Sequence, residues 1–404
     1  LQEILLEALG RAFGQRFAPD RCVLAATHTH SAPPVAPLEG EADMDPAYVG
    51  LLQERVVQAA QQALDSQQAA VLWCSEVAVP GLTYNRRSVL ADGRVVMAAA
   101  PDVPVMQRGP VDDRFTLLAW RDAGQRTLAA VAHWACHGVA LNTQAISGDI
   151  PGRIAASVEA VLGASCVYLQ GAAGDVNPTV VAQGQQELDA WWVDFAPYLK
   201  QAVEALGPVA GAPLSAGSRC LSVDYQPLPS RSETEQRLMG LAAIAEGDLD
   251  TSAAQVALQQ LGNIMNVAPG QRPAVTKAAF AARALLRAEQ RVMAAGREGA
   301  RPAPCALGLT LWRWGAVALA FVAAELFAQT GLRIRRLAQE GLLLPVTVAG
   351  PIIGYAPDRE AMRVGGYEVD DAWRFYRQIG PFEAQAEDRI VMAIDDLYKQ
   401  VYDA

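Results

Sequence analysis

Apolar residues recur at helical spacing over Leu1–Phe13, where Leu5, Leu6, Leu9 and Phe13 share one face, and over Pro46–Ser66, which opens with a proline in its first turn. Shorter apolar or alternating runs predict strands at Cys22–Ala26, Ala70–Val79, Val111–Trp120, Thr127–Trp134, Cys166–Leu169, Ala306–Trp314, Ala316–Val322 and Leu343–Val348. Two of them, Val111–Trp120 and Thr127–Trp134, read as a hairpin around Asp122-Ala123-Gly124-Gln125. Helices are expected over Arg153–Leu162, over Gln185–Leu206, from just after Glu325 to about Gln339, and over Phe382–Val401. Between Ser232 and Arg297 the chain is rich in Ala and Gln and is broken at Gly240, Gly247 and Pro269-Gly270, so several helices are expected there. Strands interleaved with helices predict an α/β protein: a mixed β-sheet core flanked by helices, one catalytic domain over 1–404, with a helical insertion or cap at about 185–300.

Composition narrows the function classes. The chain has 404 residues, 51% of them apolar and 19% charged, enough to bury a large core. A net charge of −10 without any Lys/Arg run argues against nucleic acid, because phosphate recognition needs clustered positive charge. No apolar stretch reaches about 18 residues, so no transmembrane segment is expected. The six cysteines, at 22, 74, 136, 166, 220 and 305, include no CxxC and are read as free thiols. The helical pattern is already under way at Leu1, so a preceding signal peptide or strand is expected; a cytoplasmic location is favoured, and a secreted or periplasmic one stays open.

The candidate chemistry is concentrated in four histidines, arranged as two short constellations. His28 and His30 stand in Thr27-His28-Thr29-His30-Ser31-Ala32-Pro33, at a spacing that shares one face if the preceding strand continues. His133 and His137, in Val131-Ala132-His133-Trp134-Ala135-Cys136-His137-Gly138, share a face in either a strand or a helix. Neutral imidazoles with one carboxylate and an open position suit zinc and hydrolytic chemistry. Glu325, after the apolar run Phe321-Val322-Ala323-Ala324, is the attractive carboxylate, since an unpartnered Glu there is costly to bury. Asp149 and Asp175, each in a glycine-containing turn, are alternatives as ligands or as groups that orient them. Arg86 and Arg87 read either as solvated loop residues or as a carboxylate clamp.

Taken in order, Thr27–Pro33, Asn85-Arg86, His137-Gly138, Ser147-Gly148-Asp149, Gly174-Asp175-Val176-Asn177-Pro178, Glu325 and Tyr355 resemble the motifs of the catalytic domain of neutral/alkaline (non-lysosomal) ceramidases. The likeness runs from about residue 20 to 370 and is thin across the helical middle. It implies one Zn2+ per chain, held by His28, His137, Glu325 and Tyr355. It also implies a base or substrate-polarising role for His30, and binding of the acyl carbonyl or product carboxylate by Arg86 and Tyr367. The implied activity is cleavage of an N-acyl (amide) bond by a zinc-activated water, with a small-molecule or lipid-like N-acyl substrate such as a sphingolipid. Family members usually carry Ser where this chain has Asn177, so a serine nucleophile is not offered at that position, although Asn177 can donate a hydrogen bond. The same site acting on a soluble ester, lactone or other small metabolite, or a homologue that only binds, are the alternatives.

Overall fold

In the computed structural model the described residues are 1–39, 43–91, 93, 95–97, 105–211, 214–264, 275–295 and 299–402. The apolar alternation along the strands builds two sheets that face each other. The first runs in the order Gly207–Pro208, Val71–Ala78, Arg114–Arg121, Thr127–Trp134, Ser165–Gln170. Its pairs are antiparallel except the last, Thr127–Trp134 with Ser165–Gln170, which is parallel and is bridged by the helix Asp149–Leu162. The second sheet runs Ser215–Val223, Cys305–Trp314, Val317–Val322, Leu342–Val346, again antiparallel until a final parallel pair, here bridged by the helix Ala328–Arg335.

Period-two burial decides what each face meets. Leu118 and Leu169 of the first sheet pack with Leu319, Phe321, Leu344 and Val346 of the second, forming the core between them. Phe115, Leu117 and Trp134 point the other way, onto Ile150, Ile154 and Val158 of one helix and Trp191 and Phe195 of Gln185–Glu204. Leu307, Leu309 and Leu311 meet Ile390, Ile394 and Leu397 of the helix Ala386–Tyr402. The result is a helix–sheet–sheet–helix stack, in which Val317–Val322 is buried at every residue. The helices Arg231–Glu246, Ser252–Ile264 and Val275–Ala295 form a separate apolar cluster through Leu241, Ile244, Leu261 and Leu285. The stretch 185–300 thus contains a core helix and two strands as well as this helical unit.

Several expectations change. Cys22–Ala26 forms no strand: Ala25 bridges Ala349 and Thr29 bridges Gly138, but a left-handed backbone at His28 (φ 62°) lies between them and stops any ladder. The Gly81–Arg87 stretch is partly strand, with Thr83–Asn85 paired to Val176–Pro178 and Arg87–Leu90 paired to two short neighbours. Gly240 does not break its helix, because it gives the room that the Ala253 carbonyl occupies against it. The Pro269-Gly270 break lies outside the described residues. His133 does not stand with His137; its Nε2 donates across the sheet interface to the Pro345 carbonyl at 2.8 Å.

Two predictions follow from this packing. At Gly171, an added Cβ would lie 2.9 Å from backbone atoms of Trp134 and Ala135, whereas at Gly152, inside a helix, it would meet nothing within 4 Å. Gly171→Ala is expected to lower the urea unfolding free energy by about 1–3 kcal/mol, and Gly152→Ala to leave it unchanged or raise it. Burial, with Arg335 nearby, lowers the His133 pKa to about 4. Between about 6.5 and about 4 the unfolded chain therefore binds a proton at this residue that the folded chain refuses, so stability falls as pH falls through that window, by roughly 3 kcal/mol at most for this group. Unfolding curves of His133→Gln should show a shallower decline than the wild type over the same range.

Candidate metal centre

Three loops that leave strand ends, and one segment from the N-terminal region, meet on one spot. His137 comes three residues after Thr127–Trp134, and its backbone N–H donates to the Val176 carbonyl at 3.2 Å. Its Nδ1 donates to the Ala173 carbonyl at 2.6 Å, which fixes the tautomer and leaves Nε2 as a lone pair facing the centre. His28 is brought alongside by two backbone ties, Ala26 N–H to Val348 O and His30 N–H to Gly138 O, each 3.0 Å. Between these ties the left-handed φ of His28 turns its ring inward, so that its Nε2 lies 3.0 Å from Nε2 of His137.

Glu325 arrives from the other sheet. It follows the buried strand Val317–Val322 and starts a two-residue strand paired in parallel with Tyr355–Ala356, in register with Tyr355 itself. It is 2% exposed. Its Oε1 accepts a hydrogen bond from the Tyr376 hydroxyl. Its Oε2 lies 3.2 Å from His28 Nε2 and 3.7 Å from His137 Nε2, and has no hydrogen-bond partner of its own. Burial opposes its charge, yet His28, His137 and Tyr376 together hold the carboxyl well below the usual range, so it is ionised. Burial also lowers His137 well below an ordinary histidine, as does His28 beside it.

His30 completes the group, its ring centroid 5.0 Å from that of His28 and 5.5 Å from that of His137. Ring nitrogens of His28, His30 and His137 all lie within 4.8 Å of one another, so the three are positioned to hold a metal ion. Solvent still reaches His30, the most open of the three. The protein packed around it, with His28 adjacent, lowers its pKa to about 4, leaving a neutral imidazole at pH 7.

Around this centre lies a ring of aromatic and charged groups. Tyr355 is buried, and its hydroxyl accepts from Arg86 Nη2 at 3.1 Å. Arg86 is not a solvated loop residue: it is 6% exposed, and its Nε donates to Glu368 Oε1 at 3.0 Å, while Arg87 pairs with the other oxygen of Glu368. Tyr367, half-buried, packs edge-on to Tyr355 with 6.1 Å between centroids. Asn177 is buried beside Asn85-Arg86 through the pairing of Tyr84 with Asn177, and its Oδ1 has no partner. The two alternative carboxylates have other partners. Asp149 accepts from the backbone N–H groups of Ala140, Leu141 and Ile150. Asp175 accepts from Asn85 Nδ2 and from Ala328 N–H at 2.7 Å, and burial pushes its pKa up to about 7. Cys136 is buried next to His137 but outside the cluster.

Sequence reasoning does not single out Tyr376 or Glu368. Glu368 had a signal, a Glu beside Gly365-Gly366-Tyr367 that must be paired if buried. Tyr376 stands in no motif and in no apolar period.

The donor set suits a divalent metal: the Nε2 lone pair of His137, Nε2 of His28 and an ionised carboxylate oxygen of Glu325 converge within 3.7 Å of one another. Comparison of the sequence with family models and with curated proteins finds no match. Comparison of the structure does. The chain superposes on neutral ceramidase from Pseudomonas aeruginosa with a TM-score of 0.64 at 17% identity, covering 98% of this chain and 63% of that one. It superposes on a ceramidase complexed with C2 with a TM-score of 0.63 at 18% identity, covering 98% of this chain and 65% of the other. The chain therefore spans somewhat under two thirds of the proteins it matches, and over nearly its whole length it has the neutral ceramidase fold.

Proposed function

We propose that this chain is a zinc-dependent hydrolase that cleaves an N-acyl (amide) bond. The observation that carries the reading is the unpartnered Glu325 Oε2 facing Nε2 of both His28 and His137. In this reading His28, His137, Glu325 and Tyr355 hold one Zn2+. A zinc in such a site supplies a Lewis acid and lowers the pKa of water near 7.

The chain's own groups account for the remaining chemistry. His30, neutral and reached by solvent, takes a proton from the attacking water as its oxygen bonds to the acyl carbon. That proton then passes to the amide nitrogen as the C–N bond breaks, giving an amine and a carboxylic acid whose remaining proton goes to the amine, so the products leave as a carboxylate and an ammonium. Tyr367 is a hydroxyl donor for the carbonyl oxygen. Arg86 stays charged despite its burial, because Tyr355 and Glu368 favour the cation, and it supplies the positive field that stabilises a carboxylate product. Asn177, with an unpartnered Oδ1, contributes a polar amide where the resemblance would place a serine. Among the described residues no helix is long and apolar enough to cross a membrane.

Metal analysis separates the two histidines of the first constellation. Wild type should carry about one zinc per chain, and His28→Ala close to none. His30→Ala should keep its zinc and lose about 10²–10⁴-fold in kcat. Zinc retained in full by His28→Ala would remove the ligand assignment. Hydrolysis of ceramides, short N-acyl amines, esters and lactones, measured with and without a chelator, tests the substrate. Activity on amides that vanishes with chelator and returns with added zinc is expected; esters or lactones as the only substrates would replace the amide reading.

A further inference from the structure

The stretch from Tyr367 to Arg377 carries both tyrosines that stand beside Glu325 and Tyr355, yet it has little regular structure: one turn of helix at Tyr367–Asp370 and one at Ala372–Arg374. It is held instead from the side of the helical unit. Arg374 donates through Nε to Glu289 Oε1 at 2.7 Å, from the helix Val275–Ala295. Glu289 is 1% exposed, and Arg237, from Arg231–Glu246, approaches the same oxygen to 3.4 Å. Arg291 donates to the Arg374 carbonyl at 3.1 Å and to Glu39 Oε1 at 2.6 Å. Glu39 in turn donates its backbone N–H to the Phe375 carbonyl at 2.9 Å. Trp373 packs on Val292, and Phe375 packs on the apolar cluster of the three helices. Of the two carbonyls that precede Tyr376, that of Arg374 is thus tied to the helical unit directly and that of Phe375 through Glu39, whose carboxylate is held by Arg287 and Arg291.

We propose that the helical unit is a brace for the metal centre: through Glu289, Arg291 and Arg374 it fixes Tyr376, whose hydroxyl holds Glu325 Oε1 and leaves Oε2 alone to face His28 and His137. Tyr376, Glu289, Arg291 and Arg374 are positioning residues in this account. A carboxylate free to rotate would exchange its two oxygens at the centre; one held by a phenol donor presents a single, oriented lone pair, and groups that orient a ligand in this way change metal affinity by about 10–100-fold. Removing Glu289 takes the anion from Arg374 Nε and leaves Asp371 at Nη1 as its carboxylate partner, so the guanidinium loses its tie to the helix and the backbone that delivers Tyr376 is freed to shift. The inference rests on the zinc reading of the site.

The test is the affinity of the full chain for zinc alone, measured by competition with a chromophoric chelator on metal-stripped protein whose folding is checked by circular dichroism. Tyr376→Phe should weaken zinc binding by about 10–100-fold. Glu289→Gln should weaken it severalfold while Tyr376 is present and cause no further loss in the Tyr376→Phe background. A merely structural role for Glu289 would not produce that dependence. If Glu289→Gln does not fold, Arg291→Lys takes its place in the same cycle with the same expectation. Wild-type affinity in Glu289→Gln, or an equal loss with and without the Tyr376 hydroxyl, overturns the brace and leaves the zinc site standing. A wild type that binds no zinc overturns the site and the brace together.

Discussion

A carboxylate buried to 2% exposure has to be compensated, and Glu325 has the Tyr376 hydroxyl on one oxygen and the imidazoles of His28 and His137 facing the other. Much of the surrounding arrangement follows from that constraint. The Tyr376 hydroxyl serves Oε1, and the second oxygen looks onto His28 and onto His137, whose protonated form is disfavoured by burial. In turn His137 is tied to the Ala173 carbonyl, which sets the loop after Ser165–Gln170, and His28 adopts a left-handed backbone to bring its ring into place. A non-glycine residue at that φ costs roughly 1–3 kcal/mol, and it persists because the backbone on both sides is pinned.

The sheets supply the fixed frame and the loops supply the groups. Thr127–Trp134, Ser165–Gln170 and Val317–Val322 each end where a loop carries a polar side chain inward, and each belongs to the one parallel pair of its sheet. Parallel pairs are covered on both faces, which is why Val317–Val322 is apolar throughout and why Glu325 stands out so sharply after it. A second ring of charge surrounds the first: Glu368 binds Arg86 and Arg87 together, and Arg86 caps the Tyr355 hydroxyl.

Much of the framework can be read from spacing, because long strands and amphipathic helices carry a period. Val317–Val322, Thr127–Trp134 and Ala386–Tyr402 are legible for that reason. Three-residue strands such as Thr83–Asn85 carry no period, and so Arg86 reads as a loop residue when tertiary pairing has buried it. Spacing also groups His133 with His137; the strand ends at Trp134, and beyond it the chain turns, sending the two rings to different places. The centre itself is half legible. Histidine scarcity and the apolar run before Glu325 identify four of its groups, His28, His30, His137 and Glu325, whereas Tyr355 and Tyr367 emerge only through resemblance to a family. Tyr376 gives no local sign, since its importance lies in a contact 51 residues away in the chain.

The distances along the chain between the parts of the site have a consequence for how it comes into being. His28 and His137 are 109 residues apart, and Arg86 and Glu368 are 282 apart, so no short fragment of the chain contains the centre. Such long-range closures are the slow steps of folding, because the entropy of a large loop is lost before its contacts are gained. During synthesis the histidines emerge well before Glu325 and the residues that orient it. In that interval they are imidazoles without the carboxylate that faces them in the folded chain. The full set of converging groups exists only once the last strand and the segment after it have docked, which makes its assembly a late reporter that the whole chain has found its fold.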